Sequence, residues 1–168
     1  MATINSNFNW DATDFFRRLT ENNKLAKQRG FKFCRVNGLA GFEDALHAMQ
    51  STNAFVCVSD ISQGYTALDN APHTRRVKTI FLAMRHKVDD MGARQERFDT
   101  LRELFRQFMS MLILEKTKLA ENVIEIDRRI SFNEIDEYFF SGCACAHFSV
   151  ATDVFTDLRF NPEEWVNY

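Results

Sequence analysis

Proline and glycine are scarce in this chain of 168 residues, which has 2 of one and 6 of the other. So few chain breakers argue against a loop-rich protein and predict long regular elements. A basic excess is missing as well. The 21 Lys and Arg face 23 Asp and Glu for a net charge of −2, which argues against nucleic acid as a partner. No apolar run reaches the length of a membrane span, so no membrane partner is expected. The opening, MATINSNFNWDATDFF, has neither the positive stretch nor the apolar stretch of a secretory leader. The 4 cysteines, at positions 34, 57, 143 and 145, are then expected to be free thiols in a soluble, cytoplasmic protein. There is no repeat, no low-complexity segment and no long charged tail. A single domain over residues 1–168 follows. Gly-rich phosphate loops, GxSxG and HExxH are all absent, and no cofactor is predicted.

Phenylalanine is abundant by contrast. There are 17, against 2 Trp and 3 Tyr, which predicts a large aromatic core. Asp11 or Thr13 can cap a first helix running to about Gly30, with Phe15, Phe16 and Leu19 on its apolar side. FKFCRV, residues 31–36, alternates as a short strand. GFEDALHAMQ places Phe42, Ala45, Leu46 and Met49 on one helical stripe, with His47 facing solvent. AFVCVSD predicts a strand, and GYTALDN a strand or loop. After the turn around Pro72, RRVKTIFLAMRHK predicts a central strand that is apolar on both faces in its middle.

The strongest periodicity lies between about Ala93 and Leu119. Phe98, Leu101, Phe105, Phe108 and Leu112 recur at spacings of three and four, and predict a long amphipathic helix. NVIEIDRRISF predicts one strand, and CACAHFSVATDVF, residues 143–155, another. In NPEEWVNY, Asn161, Pro162 and Glu164 form a capping pattern for a short turn anchored by Trp165. The fold class is α+β, with a mostly antiparallel sheet and an N-terminal helix, a short helix and one long helix packed on it.

Cys143, Cys145 and His147 fall at every second position. Neighbours two apart on a strand are roughly 6.5–7 Å apart, whereas zinc holds sulfur at about 2.3 Å. An extended CxCxH does not converge on one ion, nor do its members aim at one another as nucleophile and base. The stretch is expected to be one face of a strand, with Ala144, Ala146, Phe148 and Val150 as the better core face. Arg75, Arg76 and Lys78 form a basic cluster. Glu134, Asp136 and Glu137 form an acidic one beside Tyr138. With Trp165 these are the candidate interface residues. A solvated strand end or turn accounts for the clusters equally.

Taken in order, DATDFFRRL, GFEDALHAM, NAFVCVSD, RRVKTIFLAMRH, RFDTLRELFRQFMSML and CACAHFSV resemble the element order of tailed-phage tail terminators and related head–tail connector subunits. NPEEWVNY and the CACAH face have no counterpart in that pattern. The resemblance implies a non-enzymatic, ring-forming homo-oligomer, often a hexamer, that caps a tail tube, meets head-completion proteins and ends up in a virion or prophage product. It carries over no catalytic residue. Two other classes stay open. One is a small-ligand or regulatory binding domain, monomeric or dimeric; the other is an enzyme with a thiol or metal at Cys143, Cys145 and His147.

Overall fold

The computed structural model describes residues 10–37, 41, 44–45, 47–48, 50–87, 89–135 and 142–166. Helix α1, Ala12–Asn22, starts at Asp11, whose carboxylate accepts the Thr13 N–H at 2.8 Å. The single helix expected through residue 30 is two. Asn23 is extended, with φ −77° and ψ 131°. Its side-chain oxygen accepts the Ala26 N–H and opens a second short helix, α2, Lys24–Gln28. An asparagine amide competes for backbone groups in this way and breaks helices locally. Gly30 follows at φ +70°, the left-handed position expected of it.

Seven strands form one sheet: β1 (Phe31–Val36), β2 (Ala54–Ser59), β3 (Gln63–Ala67), β4 (His73–Arg85), β5 (Ile124–Ile126), β6 (Phe132–Ile135) and β7 (Cys143–Phe155). The order is β1-β2-β4-β7-β5, with β3 added to β4 and β6 to β7. The sheet is mixed, which corrects the mostly antiparallel one expected. β1 runs parallel to β2, because the chain crosses back between Val36 and Ala54 before it pairs. The one strand expected over 122–132 is also corrected: β5 stops at Ile126, and Arg128 and Arg129 turn to solvent before β6 begins.

The predicted long helix is α3, Met91–Ala120, about 45 Å long at 1.5 Å per residue. With α1 it covers one face of the sheet. Phe16, Leu101, Leu104 and Phe108 are buried there against Ile80, Leu82, Ala144, Ala146, Phe148 and Val150. Phe148 is the hub: its ring lies 5.5 Å from that of Phe16 and 5.0 Å from that of Phe105. Each such side chain contributes about 1.5–3 kcal/mol through burial. A second, smaller cluster lies on the other face and joins Val36, Phe55, Cys57, Phe81, Ala83, Cys143 and Cys145. β4 is thus apolar on both sides at its centre, as its pattern requires.

Of the helix predicted from GFEDALHAMQ, Gly41, Asp44, Ala45, His47 and Ala48 are helical, and His47 is exposed. Phe42, Leu46 and Met49 lie outside the described residues, as do Asp136, Glu137 and Tyr138. NPEEWVNY forms a single 3-10 turn, Pro162–Glu164, capped by Asn161. Trp165 is 57% exposed and lies against Phe160, so it does not anchor the turn in the core. Among the described residues, no helix is long and apolar enough to cross a membrane.

Candidate functional site

β7 alternates as expected. Ala144, Ala146, Phe148 and Val150 face the helices, while Cys143, Cys145 and His147 occupy the opposite side. Cys143 and Cys145 are buried and His147 is half-buried beside the Phe81 ring, 6.0 Å away. The register adds what the spacing of the cysteines could not show. Cys34 pairs with Cys57 across β1 and β2, Cys57 pairs with Phe81, and Phe81 with His147. All four thiols therefore lie on one face of the sheet. They converge from positions 34, 57, 143 and 145 only through strand order, and no local motif marks it.

The chemistry of this face is subdued. Burial pushes the Cys145 and Cys143 thiols up, the latter partly offset by the charge of Arg85. Cys57 is pushed up first by its hydrogen bond to Cys34 and then by burial. The same hydrogen bond pulls Cys34 down, against a smaller opposing effect of burial. Burial also lowers the pKa of His147, favouring the neutral ring. A nucleophilic cysteine needs a thiolate and access, and the buried thiols of β7 and β2 have neither. Among the described residues, no three His, Cys, Asp or Glu side chains gather as ligands for an ion. Iodoacetamide at neutral pH is therefore expected to modify Cys34, and to reach Cys57, Cys143 and Cys145 only after denaturation. Peptide mass analysis reads the order directly, and rapid native labelling of Cys145 would contradict this description.

The basic cluster splits across the sheet because its members alternate on β4. Arg75 faces the side opposite the helices, where it bonds Asp153 at 2.6 Å and also Asp127. Its charge is spent within the fold. Arg76 and Lys78 face the helix side and line a shallow pocket with Trp10 and Ser62. The Lys78 ammonium donates to the carbonyls of Ser59 and Asp60, at 3.0 and 2.6 Å. Glu134 accepts from Nε and Nη2 of Arg102 on α3, at 2.6 and 2.9 Å, in the fork geometry suited to a guanidinium. Of the described candidates, only Arg76 and Lys78 share a pocket; Arg75 lies on the opposite face and Glu134 is held by Arg102.

Sequence periodicity missed a different feature. Beyond β7 the chain leaves the sheet as an extended arm in which Leu158, Phe160, Trp165 and Val166 are all exposed. An apolar groove of about 280 Å³ lies between the second half of α3 and the β5–β6 edge, lined by Phe105, Met109, Leu112, Ile113, Ile126 and Ile130 among others. The exposed Ile113 and Leu114 of α3 were detectable as apolar residues off the main stripe. No protein family matches this chain, and no curated protein matches it.

Proposed function

We propose that the chain is a non-enzymatic structural subunit of a prophage tail or head–tail junction, similar to a tail terminator, that acts by assembling into a homo-oligomeric ring. The observation that carries this reading is the presence of two unlike apolar surfaces, the arm after β7 and the groove beside α3, on one subunit. A ring requires this arrangement, since head-to-tail contacts join two different surfaces of each copy. The buried thiols and the internally paired Arg75 and Glu134 supply no competing site for chemistry.

The alternative of a small-ligand domain rests on a cleft of about 640 Å³, lined by Arg29, Arg85, His86, Lys87 and Arg97 among others. Its volume suits a ligand, but its walls are charged, where small-molecule sites are mostly apolar. Arg29 is also engaged by Glu96 at 3.0 Å. Light scattering on a sizing column is expected to show a discrete species of several chains that grows in with concentration. A monomer at every concentration, with or without tail-tube protein present, would end the ring proposal.

A further inference from the structure

We infer that the ring contact is made by the arm of one copy, residues 157–166, seated in the α3 groove of the next. This rests on the ring reading above and names the two surfaces that meet. Three observations carry it.

The first is the make-up of the arm. Phe160 and Trp165 stack at 6.4 Å with their planes 26° apart, so they present one apolar unit. The turn between them is already built. Asn161 accepts the Glu163 N–H at 3.1 Å and donates to Glu164 Oε1 at 3.3 Å. A segment shaped in advance loses less freedom on docking. Phe160 and Trp165 are nevertheless more than half exposed.

The second is charge. Trp165 follows Glu163 and Glu164, and the groove is flanked by Lys116 and Arg128. Neither Lys116 nor Arg128 forms a salt bridge among the described residues, whereas Asp127 on the same wall is held by Arg75. An aromatic anchor with two acids thus faces an apolar slot with two cations. The slot lies at the small end for a metabolite and suits a large side chain. Trp is the residue that most often dominates such contacts.

The third is placement. The Thr156 N–H donates to Pro72 O and its hydroxyl meets that of Thr74 at 2.7 Å, which ties the root of the arm to the β4 side of β7. The groove is built on the β5 side. The root of the arm and the groove thus lie on different sides of β7, and they are two separate surfaces of one subunit.

The test uses full-length chains and positions outside the buried core. One variant carries Glu163→Lys and Glu164→Lys, a second Lys116→Glu and Arg128→Glu, and a third Trp165→Ala. Each alone should shift the mass distribution to monomer, with association weakened about thirtyfold by Trp165→Ala. A 1:1 mixture of the two charge variants should regain the large species, because each arm then meets a groove of opposite sign. Wild-type mass in any of the three single samples, or no recovery on mixing, overturns the arm-and-groove contact and leaves the ring intact. A wild-type chain that is monomeric throughout, and that does not bind a labelled peptide of residues 156–168, overturns both.

Discussion

Phe148→Ala should lower the stability of the chain by about 3–5 kcal/mol, measured as a fall in the urea midpoint at unchanged slope. Phe148 has no solvent exposure and contacts the rings of Phe16 and Phe105. Phe16 in turn lies 5.9 Å from Phe108, so one side chain joins α1, α3 and the middle of the sheet. Alanine leaves a cavity that two helices and a strand would have to close together. A close-packed core relaxes only in part. Typical domains hold about 5–15 kcal/mol in total, so the loss is a large fraction of what is there. Phe160→Ala is the contrast. It removes the same side chain from the exposed arm, and folding stability should move by no more than about 0.5 kcal/mol. A loss under about 1 kcal/mol for Phe148→Ala would show that the ring is not a hub of the core.

Gly64→Ala should open one end of the sheet while the rest holds. A Cβ at Gly64 would stand 1.8 Å from the carbonyl oxygen of Arg75 and 2.8 Å from its carbonyl carbon. Both are backbone atoms of the paired strand, so no side-chain rotation relieves the clash. β3 must then separate from β4 between Gln63↔Val77 and Ala67↔His73. Overpacking of this kind costs about 1–3 kcal/mol. Amide exchange over residues 63–67 should accelerate by up to about a hundredfold, and that over β2 should stay slow, because β2 is buried along its whole length. Thr66→Ala removes the hydroxyl contact to Thr74 and a methyl group without adding a clash, and serves as the control. Wild-type exchange in Gly64→Ala would refute the close approach.

The parts of this fold that were legible in the sequence are those encoded within a dozen or so residues. CACAHFSVATDVF marks β7 to the residue, because alternation is local and the two faces differ in size. The α3 stripe from Phe98 to Leu112 is equally local. The capping role of Asn23 was not legible, because it depends on one side chain that also donates to Gln107 Oε1 on α3, 84 positions away. The parallel β1–β2 pair and the gathering of the four thiols were hidden for the same reason. Strand order is a property of the whole chain, and a cysteine at 34 carries no mark of the one at 145. The candidate site was read one residue at a time. Trp165 was read both as an interface candidate and as the anchor of the last turn, and it is 57% exposed. The apolar groove is made by α3 and the β5–β6 edge, and no single segment contains it.

The central ladder of the sheet also sets an order of events. β4 and β7 pair along their full lengths, from His73↔Phe155 to Arg85↔Cys143. Arg75 and Asp153 meet across 78 positions of chain. During synthesis, at roughly 5–20 residues per second, β4 therefore waits several seconds for its neighbour. Until β7 emerges, the apolar sides of β2 and β4 have no complete sheet to join. The arm is translated directly after β7. A chain that displays the arm has therefore already received the strand that pairs along the full length of β4 and closes the core.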